Sequence, residues 1–149
     1  LKPMTEVAKG FGGNLSVSDA SAMGTSFIRL FFFHNVFGIN SGYLKRSNTP
    51  AVSSYYQGYY DVNFAYCDRK TIVSGTEILI YSFFGPPDTM KYNVNINLSK
   101  GWNPVTYYTK TARANYYEYD VYNDDPEGAR WIYHNNQTVD VFRNENEMK

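Results

Sequence analysis

The 149 residues suffice for one domain with a sizeable core and are short for two. Lys plus Arg and Asp plus Glu both number 14, for a formal net charge of zero. No basic stripe of the kind that neutralises phosphates is present, which argues against a nucleic-acid partner. Hydrophobic residues at 43% and aromatics at 18%, with 15 Tyr and 10 Phe, exclude a disordered chain and favour strands.

Cys67 is the single cysteine, so no intrachain disulfide is available and packing must hold the fold. The longest apolar run, Phe27 to Phe33, is broken by Arg29 and falls far short of a membrane span. No signal-peptide pattern is present, and the sequence starts at Leu1 rather than Met, as expected where processing or a boundary has removed a leader.

Residues 1–13 read as a leader into a first short strand, Asn14 to Val17. Ser18 to Met23 is expected to form one helical turn, capped by Ser18 or Asp19. Phe27 to His34 carries apolar residues on both faces, the pattern of a central strand covered on both sides. After a loop over 38–50, alternation returns with Tyr56, Gly58, Tyr60, Val62, Phe64 and Tyr66 on one side and Tyr55, Gln57, Tyr59, Asp61 and Asn63 on the other. Two further strands follow, around Thr71 to Thr76 and Glu77 to Phe84, the second stopped by Gly85-Pro86-Pro87.

Met90 to Thr109 reads as a β-hairpin. In its first arm Tyr92, Val94, Ile96 and Leu98 alternate with polar residues, Gly101 gives the turn its freedom, and the second arm either begins after Pro104 or runs along a sheet edge. Trp102, just past the turn, is expected to fold over the end of the core and cover Leu98 or its neighbours. In the next strand Tyr117, Tyr119 and Val121 oppose Tyr116, Glu118, Asp120 and Tyr122. A closing pair around Arg130 to Tyr133 and Thr138 to Phe142 precedes a loose tail at 144–149. Many short strands at regular spacing predict one all-β domain. The preferred form is an antiparallel β-sandwich, immunoglobulin- or transthyretin-like, and the alternative is a closed calycin-like β-barrel.

Three stretches carry a resemblance: Gly13 to Ser18, Lys70 to Thr76, and Asn95 to Asn103 with its Leu98-Ser99-Lys100-Gly101-Trp102-Asn103 run. Together they resemble β-domains of bacterial secreted and surface-anchored lipoproteins. The chain departs from that pattern at Pro104 and at Cys67. The resemblance implies a location outside the cytoplasm, and a membrane link only through a lipid anchor outside this chain.

No catalytic arrangement stands out. Cys67 with His34 or His134 has no local signature around it, and no Gly-x-Ser-x-Gly elbow occurs. Asp61, Glu118 and Asp120 are expected to share an outward face, where a solvated surface is the plainer reading than a carboxylate pair. Asp120, Asp124, Asp125 and Glu127 concentrate oxygen ligands of the kind calcium takes, but without EF-hand spacing, and an ordinary turn is preferred. Zinc has no ligand spacing, and no cofactor is implied.

The aromatic residues carry the functional expectation. Tyr55 and Tyr59 would project from one strand face, and Tyr116 and Tyr122 from another. Exposed rings at that period would serve as a platform for a glycan or a partner protein's surface; the competing reading packs them inside. The chain is therefore expected to be a non-catalytic binding or interaction module, with a small-molecule carrier holding an internal cavity as the alternative and a glycan-processing enzyme third.

Overall fold

The computed structural model describes residues 1–27, 30–34, 40–49, 56–82, 86–134 and 139–141. The elements run β1 (Lys2–Pro3), α1 (Met4–Val7), α2 (Lys9–Gly12), β2 (Ser16–Val17), β3 (Met23–Phe27), β4 (Leu30–His34), β5 (Asn40–Ser47), β6 (Tyr60–Cys67) and β7 (Thr71–Tyr81). They continue with β8 (Asp88–Leu98), β9 (Gly101–Arg113), β10 (Tyr116–Tyr122), β11 (Arg130–His134) and β12 (Val139–Val141). All the described strands belong to a single sheet, ordered β12-β11-β5-β6-β9-β10-β8-β7-β2, with β3 alongside β6, β1 alongside β3 and β4 alongside β5. The sheet curls strongly into a half-barrel, so the all-β expectation holds. The tail at 144–149, the side chains of Phe27 to His34 and the loop joining the last two strands lie outside the described residues.

The central hairpin is corrected. β8 and β9 follow one another in the chain but do not pair. β10 lies between them, parallel to β8 through Tyr119↔Tyr92 and antiparallel to β9 through Tyr119↔Thr109. The connecting turn is held open by Asn103. Its Oδ1 accepts from the Ser99 N at 2.9 Å, and its Nδ2 donates to the carbonyls of Ser99 and Gly101, each at 2.9 Å. A turn closed by a side chain rather than by a ladder lets its arms separate by two strand spacings of roughly 4.8 Å each, enough to admit a third strand.

β9 does not begin after Pro104, which pairs with Phe64 inside the β6–β9 ladder; on its other side the strand is locally an edge. In a strand the N and C=O of one residue point to the same side, and the Pro104 carbonyl faces Asn123, just past the end of β10. The missing N–H therefore faces a place where no ladder partner exists.

The first 13 residues are not a leader. Met4, Val7, Ala8 and Phe11 are buried and join Ala65, Cys67, Val73, Val94, Ile96, Leu98, Val105 and Val121 in one core. Two short helical turns place those four side chains on one face, and that face plugs one end of the half-barrel. Ser18 to Met23 is a turn rather than a helix: the Asp19 carboxylate accepts from the Ser21 N at 2.9 Å and from the Ser21 hydroxyl at 2.6 Å. Gly24 is required where β3 passes the plug, because a Cβ there would strike the Met4 side chain and the Tyr66 carbonyl.

Candidate functional site

The alternation in β6 decides which side chains reach the concave face. Ala65 and Cys67 are fully buried, and on the same side of the strand stand Asp61 and Asn63, with Tyr59 one step before the strand begins. The bonds Thr109 N to Tyr59 O, 2.7 Å, and Gly58 N to Thr109 O, 2.8 Å, extend the ladder so that Tyr59 keeps this orientation. Across the ladder, Asp61 is paired with Tyr107 of β9. Tyr119 of β10 is paired with Tyr92 of β8, and those two rings stack 5.0 Å apart at 20°.

These strands and the segment around Phe11 enclose a cavity of about 450 Å³ on the concave face. Five tyrosines line it: Tyr59, Tyr81, Tyr92, Tyr107 and Tyr119. Leu79, Met90 and Phe11 add apolar wall, while Asp61, Asn63, Thr109 and Lys9 supply polar groups. The half-barrel thus has two zones along one concave face. A dry zone is filled by the N-terminal plug, and an open zone beyond it is lined with rings.

The Tyr107 hydroxyl donates to the Gly10 carbonyl at 3.2 Å, tying the cavity wall to the plug. Burial pushes its ionisation well above the ordinary tyrosine value, and the nearby Asp61 carboxylate and Tyr92 hydroxyl add to the rise. At neutral pH it stays a protonated phenol. The Tyr92 hydroxyl lies 3.7 Å from the Met90 sulfur. The Lys45 ammonium sits 4.5 Å from the centre of the Tyr59 ring. The cavity therefore offers ring faces, neutral hydroxyls, an amide and a carboxylate together.

The residues expected to bind ligand are not brought to one place. Tyr55 lies outside the described residues. Tyr59 is 3% exposed, so the outward position expected for it is corrected. The other side of the strand, with Tyr60, Val62, Phe64 and Tyr66, is the bulkier one. That bulk is the convex face, covered by Trp131 stacked on Phe64 at 6.0 Å and by the turn after β10. Tyr116 and Tyr122 do share the convex face of β10, half-buried, but Glu118 and Asp120 stand between them.

The three carboxylates are also divided. Glu118 and Asp120 share the convex face, where Asn93 Nδ2 donates to both at 2.8 and 3.0 Å, whereas Asp61 lines the concave cavity. Asn93 and Lys91 hold the Glu118 carboxyl below its ordinary range. In the acidic turn Arg46 pairs with Asp125 at 2.6 Å and the Asp124 carboxylate accepts from the Asp125 N. Among the described residues no three His, Cys, Asp or Glu side chains converge. Cys67 is buried, with its sulfur 2.8 Å from the Arg69 carbonyl.

Trp102 is corrected too. It is 54% exposed on the convex face, edge-on to Tyr66 at 5.5 Å, and does not cover Leu98. Since Asn103 faces the core, alternation sends its neighbour outward. The cavity residues missed from sequence, Tyr92, Tyr107 and Tyr119, did leave a signal: Tyr92 falls on a face with Val94, Ile96 and Leu98, and Tyr119 stands next to Val121 on its own face. A hydroxyl on such a face needs either a partner or open space.

No family model, no curated protein and no solved structure matches the chain.

Proposed function

We propose that the protein is a non-catalytic binding module of a bacterial secreted or cell-surface protein, and that the concave cavity is where its ligand sits. The observation that carries this reading is the convergence of Tyr59, Tyr92, Tyr107 and Tyr119 on a cavity of about 450 Å³ beside Asp61 and Asn63. Small-molecule sites are concave, mostly apolar and aromatic, with few polar groups, and run to roughly 300–1,000 Å³. Ring faces next to a carboxylate and an amide suit a sugar ring, whose flat apolar side stacks while its hydroxyls hydrogen-bond. The glycan and the carrier readings meet here, in a short glycan or ring-bearing molecule held inside the curl. In this reading the fold is a calycin-like barrel left open, in preference to a two-sheet sandwich; the support is the single sheet path and the ligand-sized concavity. The extracytoplasmic location rests on the resemblance of the Gly-Trp-Asn run, and any membrane link runs through a lipid anchor outside this chain. Among the described residues no helix is long and apolar enough to cross a membrane.

The test is a thermal-shift and calorimetric screen of mono- and disaccharides and of ring-bearing amphipathic molecules, repeated on Tyr92→Ala, Asp61→Asn and Tyr122→Ser. A ligand at a hundredfold its Kd should stabilise the wild type by about 2.7 kcal/mol. Binding should fall in the first two variants and survive in the third. Binding lost only in Tyr122→Ser would move the site to the convex face. Conversion of a bound compound into product would make the protein an enzyme.

A further inference from the structure

We propose that two copies of this chain associate edge to edge through the second half of β7, Thr76 to Tyr81, continuing one sheet across a two-fold axis at Leu79. β2 covers the outer edge of β7 only at Val73 and Ser74, with Ser18 adding a bond to the Ile72 carbonyl. At Gly75, where φ is 147°, Leu15 packs against the strand, and the paired cover goes no further. From Thr76 to Tyr81 β7 pairs with β8 on one side, and among the described residues no strand pairs with it on the other. Ile78 and Ile80 on this stretch are 57% and 68% exposed. A row of backbone donors and acceptors is completed by a strand, and proteins that avoid this blunt the edge with Lys, Pro or an inward charge. Thr76 to Tyr81 contains no Lys and no Pro; its single charge, Glu77, is on the concave side, and the pairing below sets it against a phenol and not against another charge.

A second copy fits the edge better than an arbitrary strand because the segment complements itself. Antiparallel pairing centred on Leu79 sets Ile78 opposite Ile80 of the partner, twice, making one four-isoleucine patch on the convex side. On the concave side it sets Glu77 opposite Tyr81 of the partner, so each carboxylate meets a phenol instead of the other carboxylate. Centring on Ile78 instead would set Ile80 against Thr76 and Glu77 against Leu79, losing both matches. Five residue pairs and four isoleucines bury less than the roughly 1,200–2,000 Å² of stable complexes, so the dimer is weak and concentration-dependent. Leu79 and Tyr81 also line the cavity, so pairing would bring two such walls side by side. Association is independent of whether the cavity binds a ligand.

Sedimentation velocity over a concentration series tests this on the unliganded protein. The wild type should approach a doubled mass at high concentration, and Ile78→Lys, an exposed change that leaves the core alone, should stay monomeric. Mild oxidation should link Leu79→Cys into a dimer, since residues on the axis fall within disulfide reach. The wild type carrying only the buried Cys67 should not be linked. A wild type that stays monomeric throughout, or a dimer that Ile78→Lys leaves intact, would overturn the proposal. A disulfide formed by Ile78→Cys and not by Leu79→Cys would overturn the register.

Discussion

The Asn123 side chain donates to the Pro104 carbonyl at 3.1 Å, one residue past the end of β10. Its oxygen accepts from the Asn97 N of β8. One amide thus bridges the two strands that β10 separates, at the point where β10 stops supplying partners. Asn123→Ala should cost about 1–2 kcal/mol, the net of two hydrogen bonds to backbone. For a chain of this length that lowers the Tm by roughly 2–8 °C. Asn123→Asp keeps the acceptor and loses the donor, so thermal melts should place it between the two.

That bridge marks the limit of what the sequence made legible. The alternation of Tyr92, Val94, Ile96 and Leu98 identifies a strand and its buried face, and both are found. Which strand lies beside it is another matter, because alternation reads the same for any neighbour. The insertion of β10 depends on two asparagine side chains, Asn103 and Asn123, whose hydrogen bonds leave no periodic trace. In β6 the faces were inverted because Ala65 and Cys67 look too small for a core until Met4 and Phe11 are known to fill the space against them. That filling was itself readable: Met4, Val7, Ala8 and Phe11 recur at helical spacing. Of the candidate site, the richness in tyrosine was visible, but its convergence depends on curl and register.

Tyr59→Ser should destabilise the fold. The ring is buried, walls the cavity and carries the Lys45 ammonium over its face. Truncation of a buried aromatic costs about 3–5 kcal/mol, a large part of a domain's stability. Urea denaturation should show a much lower midpoint with an unchanged slope. A midpoint close to wild type would mean the ring can leave the wall without consequence.

Trp102→Ala, in contrast, should be mild. With half its surface in water and its ring edge-on to Tyr66, it stands to lose about 0.5–1.5 kcal/mol from that ring pair. The protein should stay soluble, with a melting curve shifted by only a few degrees. Collapse into insoluble material would show that the indole covers more than Tyr66.

Gly24→Ala should be among the most damaging single-methyl changes. A Cβ at this position runs into the Met4 side chain and the Tyr66 carbonyl, and the carbonyl belongs to the ladder opposite β3. Met4 can rotate aside, but the backbone oxygen can yield only by opening the β3–β6 pairing. Overpacking of this kind costs about 1–3 kcal/mol. Combining Gly24→Ala with Met4→Ala should not rescue it, because the backbone clash remains. A double variant more stable than Gly24→Ala alone would assign the damage to Met4.

Acid should unfold the protein through two carboxylates. Arg69, followed by the Met23 N–H at 2.8 Å, holds the Asp68 carboxyl below its ordinary range. Asn93 and then Lys91 do the same for Glu118. A group whose pKa is lower folded than unfolded stabilises the fold fully above the unfolded value. That contribution disappears as pH falls from the unfolded value through the folded one. The unfolded values lie near 4, so the denaturation midpoint should be level from about pH 7 to pH 5 and decline below about pH 4. Asp68→Asn removes the charge that Arg69 and Met23 recognise. It should lower the midpoint at neutral pH and leave a shallower decline in acid, the two curves approaching each other as the pH falls through the folded-state value of Asp68, below which that carboxyl is protonated in folded and unfolded chains alike. Curves that run parallel down to that pH would show that Asp68 contributes to the fold through its shape alone.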